Sequence, residues 1–278
     1  MNIVYSPCPN DTFIFHALTH GLIPNTPKFD VTYADIDITN GLAVKGDSPE
    51  IMKISYAALP YMHEDYRLLP CGGALGRGCG PLVLSNDYTK AEDLAGKTVA
   101  VPSERSTAYL LFRLWAAQQI PGGVGKIIVM PFHEIMPAVR DGKIDAGLVI
   151  HEARFTYQNF NLKLLTDLGD WWEQDTGSPI PLGAIIAKKS LNLGELTDWI
   201  RQSVNYAWDN PEASMDYVLE HAQEMSPEVA KSHIDLYVNE FSADLGNAGF
   251  AAVESLLGRA MQEGLVPQID LEKISFRG

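Results

Sequence analysis

The side chain best suited to move a proton in this chain is the imidazole of His151. It follows the apolar run Ala146-Gly147-Leu148-Val149-Ile150, whose composition is that of a buried strand. The ring therefore emerges where a strand ends and not inside a core. A neutral imidazole near pH 7 is the usual group for proton abstraction. On the residues alone, a supporting histidine held by hydrogen bonds fits the position equally well. Three further polar stretches also close apolar runs, namely Ser6–Asp11, Lys53–Ser55 and Ser103–Thr107, and His151–Arg154 completes the set. Most of them run into predicted helix N-termini, where free N–H groups and the helix dipole favour an anion. Ser55 and Ser106 read first as ordinary helix caps. Together the four strand ends describe a site for a small anionic molecule, because ligands of open α/β sheets bind beyond the carboxyl ends of strands.

Other chemistries find little support. Cys8 lies in a strand-end loop, but no partner base accompanies it, and Cys8, Cys71 and Cys79 lack the CxxC spacing of a zinc or redox site. The glycine-rich stretch Gly72–Gly80 has neither the Gly-Lys-Ser/Thr ending of a phosphate-binding loop nor the strand–turn–helix setting of a dinucleotide fingerprint. No GxSxG elbow and no HExxH helix occur. The expectation is a site with no metal and no organic cofactor. His16, His20, His63, His133, His221 and His233 fall within or beside helical segments and read as surface or packing residues.

The elements that must position these residues alternate between strand and helix, which is the α/β pattern. Asn2–Tyr5 reads as a buried strand, and Asn10 or Asp11 as the cap of the helix through Thr12–Leu18. Strands are predicted over Phe29–Ile36, Ile51–Ile54, Pro81–Ser85, Lys97–Val101, Lys126–Met130, Asp145–Ile150, Leu162–Leu165 and Pro181–Ala187. Helices are predicted around Gly41–Lys45, over Tyr56–Met62, over Ser106–Gln119 and near Glu134–Arg140. From Glu195 to Gly264 the pattern is almost wholly helical, with Pro211 and Pro227 in first turns after Asn210 and Ser226. The polar stretch Ser85–Leu94 leads into a second opening strand, and Gly177–Pro181 reads as a return hinge. This layout predicts a discontinuous lobe of residues 1–88 with 181–278 and an inserted lobe of residues 89–180. It resembles the periplasmic-binding-protein type II fold, two lobes around a central cleft.

Composition narrows the partners. A chain of 278 residues with 46% hydrophobic and 20% charged residues can build a sizeable core without disulfides. Its net charge of −14 argues against nucleic acid or an anionic membrane surface as a partner. No apolar run approaches the roughly 20 residues needed to cross a bilayer. With no basic, apolar leader ahead of Asn2, a cytoplasmic location is expected. Nothing in the sequence sets the oligomeric state.

Several of these stretches carry a family likeness. Ser6-Pro7-Cys8-Pro9-Asn10-Asp11-Thr12-Phe13-Ile14-Phe15, Lys53-Ile54-Ser55-Tyr56-Ala57-Ala58 and Gly72-Gly73-Ala74-Leu75-Gly76-Arg77-Gly78 come first, with Gly80-Pro81-Leu82 close behind. Thr107-Ala108-Tyr109, Ile150-His151-Glu152-Ala153-Arg154-Phe155-Thr156-Tyr157 and Pro179-Ile180-Pro181-Leu182-Gly183 follow in order. Through them the chain resembles the 1,4-dihydroxy-6-naphthoate synthases of the futalosine route to menaquinone. Ala153 stands where the family often has serine. The resemblance implies a carbon–carbon lyase that cleaves cyclic dehypoxanthinylfutalosine to 1,4-dihydroxy-6-naphthoate and a sugar-derived fragment. It also implies that His151 is the proton acceptor and that Lys53, Ile54, Ser55, Thr107 and Ala108 contact substrate. Ser106 joins them as the residue before Thr107. A chorismate dehydratase of the same pathway shares the fold but not the Ser-Pro-Cys-Pro-Asn-Asp opening, and a solute-binding protein shares only the fold.

Overall fold

The computed structural model describes residues 1–42, 49–151, 153–222 and 226–277. The chain forms two compact units, one of Met1–Gly76 with Pro181–Gly278 and one of Arg77–Ile180.

In the first unit, the apolar runs near the start become β1 (Asn2–Tyr5), β2 (Asp30–Tyr33) and β3 (Ile51–Ser55). They continue as β4 (Tyr66–Leu68), β5 (Ala74–Gly76) and the nine-residue β11 (Ile180–Lys188). The sheet order is β2-β1-β3-β11-β4, with β5 also paired to β11. β1 is parallel to β2 and β3, so the loops after Tyr5 and Ser55 leave the same edge of the sheet. β11 runs antiparallel to β3 and joins the late chain to the early one.

Helix α1 (Pro9–Thr19) is buried along nearly its whole length, its polar Asn10, Asp11, Thr12 and His16 included. Helix α7 (Leu193–Asp209) packs on it, and Ser203 Oγ bonds its backbone twice, donating to Ile14 O at 2.6 Å and accepting from Leu18 N at 3.0 Å. The core of this unit joins Ile3, Tyr5, Phe15 and Leu18 to Ile185, Ile200 and Val204.

Three expectations shift here. The strand predicted over 29–36 stops at Tyr33, because Ile36 already opens helix α2 (Ile36–Leu42). Of the helix predicted around Gly41–Lys45, residues 43–45 lie outside the described residues. Tyr56–Tyr61 is a 3-10 turn and not an α-helix; Pro60 sits inside it and has no N–H to give.

The second unit has its own sheet, built of β6 (Leu82–Ser85), β7 (Thr98–Val101), β8 (Lys126–Val129), β9 (Ala146–Val149) and β10 (Lys163–Asp167). The order is β10-β6-β9-β7-β8, which puts β9 at the centre. β7 and β9 are parallel neighbours, so Ser103–Thr107 and His151 follow strands that end on one edge. Residues 82–85, expected with the first lobe, pair with β9 and β10 in this sheet. Helix α3 (Thr107–Gln119) is capped by Ser106 as predicted. Helix α4 (Phe132–Arg140) lays Ile135 and Val139 on β9, where Gly147 makes room: a Cβ there would meet Ile135 Cγ2 at 2.3 Å. Short α5 (Ala153–Thr156) and helix α6 (Leu168–Thr176) complete the unit.

The C-terminal part of the first unit is helical as expected. It comprises α8 (Met215–His221), α9 (Pro227–Tyr237), α10 (Glu240–Ala243), α11 (Gly246–Gln262) and α12 (Leu271–Ile274). Pro211 and Pro227 occupy first turns, and Ser226 Oγ accepts from Val229 N. No helix among the described residues is long and apolar enough to cross a membrane.

Candidate active-site residues

His151 stands two residues past the end of β9, with φ at +58°, in the left-handed region. Only glycine enters that region freely, although histidine, asparagine and aspartate are over-represented there among the others. Its ring meets the edge of Phe132 at 5.5 Å between centroids and 62° between planes. The turn is pinned from behind. Arg154 donates through Nη1 to Gly80 O at 2.7 Å, and its Nη2 pairs with Asp167 Oδ2 at 2.6 Å. Asp167 in turn caps α6, accepting from the backbone N–H groups of Gly169 and Asp170 through Oδ1. Its negative charge, after burial, helps to raise the carboxyl of Asp170 above its ordinary range.

On the same edge, Ser106, Thr107 and Ala108 open α3 and are all buried. The Ser106 hydroxyl is engaged in structure, donating to Ser103 O at 2.9 Å and accepting from Tyr109 N at 3.1 Å. The Ser106 hydroxyl is thus committed to the turn and to the start of α3.

The first unit presents the other set. Ser55 does not cap the turn that follows it, contrary to expectation. Asn40 of α2 takes it instead: Ser55 N donates to Asn40 Oδ1 at 2.8 Å, and Asn40 Nδ2 donates to Ser55 Oγ at 3.0 Å. Ile54 is wholly buried in the sheet. Lys53 is 3% exposed, and its ammonium meets Asp11, 2% exposed, at 2.5 Å. Asp11 does not cap α1, nor does Asn10; the helix starts at Pro9 after Cys8 with no side-chain cap. The Asp11 carboxylate instead accepts from Ser6 Oγ, Asn10 Nδ2 and Lys53 Nζ.

Sequence reasoning missed Asn40, the pairing of Asp11 with Lys53, and the Arg154–Asp167 pair. Asp11 and Arg154 did lie inside the quoted motifs, and that is the signal that marked them. The remaining titratable groups point away from nucleophilic chemistry at Cys71 and Cys79. Burial pushes both thiols up to about 12, with smaller contributions from nearby charges. His16 is a packing residue, one of the two roles expected for it. It is buried beside His20 and Tyr217, and burial, then the charge of His20, lowers its proton affinity. Among the described residues, no group of three or more His, Cys, Asp or Glu is placed to hold a metal.

Comparison with known proteins bears on family and fold. A family model described as menaquinone biosynthesis matches residues 1–262. A 1,4-dihydroxy-6-naphthoate synthase of Streptomyces coelicolor is 65% identical over 279 aligned residues, covering 99% of this chain and 98% of the relative. One from Thermus thermophilus is 43% identical, covering 95% of each. Among solved structures, the alkanesulfonate-binding protein of Xanthomonas axonopodis pv. citri superposes with a TM-score of 0.74 at 14% identity, covering 100% of this chain and 98% of that one. The fold is thus of the periplasmic-binding-protein kind.

Proposed function

This chain belongs to the menaquinone biosynthesis family and is an enzyme of the 1,4-dihydroxy-6-naphthoate synthase type, and we propose that it cleaves cyclic dehypoxanthinylfutalosine with His151 as general base. The products are 1,4-dihydroxy-6-naphthoate and a sugar-derived fragment. The observation that supports the base most directly is the left-handed backbone of His151 at the end of the central strand of its sheet. Backbone strain of this kind costs on the order of 1–3 kcal/mol and collects where function holds it in place. Here the Arg154 anchors to Gly80 and Asp167 hold the turn.

The chemistry asks little else of the protein. The substrate brings its own carbonyl and leaving group, so a positioned base and a site that excludes water suffice, without a resident metal or organic cofactor. In this reading, Ser55 on β3 is a substrate contact, and so are Thr107 and Ala108 at the start of α3; the substrate is an anionic small molecule and the enzyme is cytoplasmic. Lys53 and Ile54 contribute through the strand that carries Ser55, since both side chains are buried.

The test is incubation of the purified protein with cyclic dehypoxanthinylfutalosine and, separately, with chorismate, followed by mass spectrometry. Release of dihydroxynaphthoate from the first supports the reading. Turnover of chorismate alone, or reversible binding with no product, overturns it.

A further inference from the structure

Four of the segments that mark the family lie far apart in the chain but meet at one buried ion pair. Asp11 comes from Ser6–Phe15 and Lys53 from the strand Ile51–Ser55. Lys53 Nζ also donates to Gly72 O at 3.3 Å, in the glycine-rich stretch. Gly183, from the return segment, lies against the lysine stem: a Cβ there would sit 2.8 Å from Lys53 Cε. A Cβ on Gly73 would collide with Gly183 O at 2.6 Å. Gly183 thus leaves room for the lysine stem, and Gly73 lets its own segment lie close to Gly183.

Two charges withdrawn from water in this way are a poor means of gaining stability, because an apolar pair of similar volume does as well or better. What the charges do provide is direction. One Asp11 oxygen accepts from Lys53 and Asn10 and the other from Ser6, at 2.5, 2.8 and 2.7 Å. The carboxylate therefore gathers both ends of the Ser6–Asn10 loop, whose last two residues open α1, and ties them to β3 two residues before Ser55. Apart from Pro7, every residue of that loop is buried, so its shape is set by these bonds and not by solvent.

We propose that Asp11 and Lys53 are positioning residues, a buried pair that fixes the Ser6–Asn10 loop and the end of β3 relative to each other without touching substrate. The inference rests on the functional reading above, in which Ser55 binds substrate.

Asp11→Asn, Lys53→Met and the double variant test it in the full-length protein, with melting temperature, steady-state kinetics and hydrogen exchange measured on each. The single variants leave one charge buried and unpaired, so their melting temperatures fall. The double variant leaves none, and its melting temperature returns toward wild type. Its kcat nonetheless stays down by about 10²-fold, the scale of a misplaced site, and amide exchange rises over residues 6–14 while β6–β10 are unchanged. A double variant with restored melting temperature, wild-type kcat and wild-type exchange overturns the proposal.

Should the double variant not fold, Ser6→Ala removes one neutral arm of the same carboxylate. It should lower kcat about tenfold, the scale of one hydrogen bond, and loosen residues 6–14; unchanged kcat and exchange overturn the proposal equally. If the wild-type protein fails to turn over cyclic dehypoxanthinylfutalosine, the functional reading falls by itself. The exchange comparison still decides whether the pair holds the loop.

Discussion

Replacing His151 by glycine, asparagine, alanine and valine separates backbone strain from chemistry at one position. The left-handed backbone at φ +58° costs an ordinary L-residue about 1–2 kcal/mol. Glycine escapes that cost but loses about 0.4–1 kcal/mol through the greater freedom of its unfolded chain. His151→Gly should therefore lie within about 1 kcal/mol of wild type. Asparagine tolerates the region and should behave similarly. Alanine should be about 1 kcal/mol less stable than glycine, and valine, branched at Cβ, about 2 kcal/mol or more. For a chain of this length 1 kcal/mol moves the melting temperature by about 2 °C. The expected order is then glycine and asparagine together, alanine about 2 °C below, and valine at least about 4 °C below. The rates should follow another order altogether. All four variants lack the base, so kcat should fall by roughly 10²–10⁴-fold in each, a loss of about 3–5 kcal/mol at the transition state. Scanning calorimetry and turnover on the same preparations decide both points. Valine as stable as asparagine would refute the strain argument; an asparagine variant with near-normal kcat would refute the base.

Three more expectations come from the same geometry. Gly80→Ala places a Cβ 2.1 Å from Gly169 N and displaces the carbonyl that Arg154 holds; unfolding should show a loss of about 1–3 kcal/mol or more, and a neutral result would mean the two backbones can part freely. Thr107→Val should weaken substrate binding by about 1–2 kcal/mol, the scale of a hydrogen bond to a charged group, as read by calorimetry; an unaltered Kd removes this hydroxyl from the site. Folding lowers the proton affinity of His16, through burial and then the charge of His20. Its contribution to stability is therefore complete above about pH 6.5 and is lost as the pH falls below that value. His16→Gln should accordingly flatten the decline of melting temperature between pH 7 and 5, and an equal decline in both proteins would contradict this.

Local signals carried much of the fold. The run before Ser6 and the run before His151 become β1 and β9, and Ser106 caps α3 as its residue type suggests. The failed caps share a physical cause, which is competition from a distant partner. Ser55 has the residue type and place of a cap, but Asn40, fifteen residues earlier, claims both its N–H and its hydroxyl. Asp11 likewise looks like a cap until Lys53 arrives from another strand. β4 and β5 are three residues each and exist because β11 offers them an edge, something no local pattern encodes. Nothing in the run ending at Ile150 announces that the next residue adopts a positive φ. The motif there marked His151 through family likeness, and the backbone supplies a physical reason for attention to it.

The late arrival of β11 also shapes how this protein is made. Residues 77–180 form one uninterrupted stretch and can close their own core as soon as they emerge from the ribosome. The earlier strands cannot, because β3 lacks the neighbour that covers its edge until β11 has been synthesised. At about 5–20 residues per second, on the order of a hundred residues of delay leaves that apolar edge open for roughly ten seconds. An open edge is a template for pairing with another nascent chain. Soluble yield in a heterologous host should therefore respond to growth temperature and to chaperones that shield nascent strands, more than to changes on the finished surface.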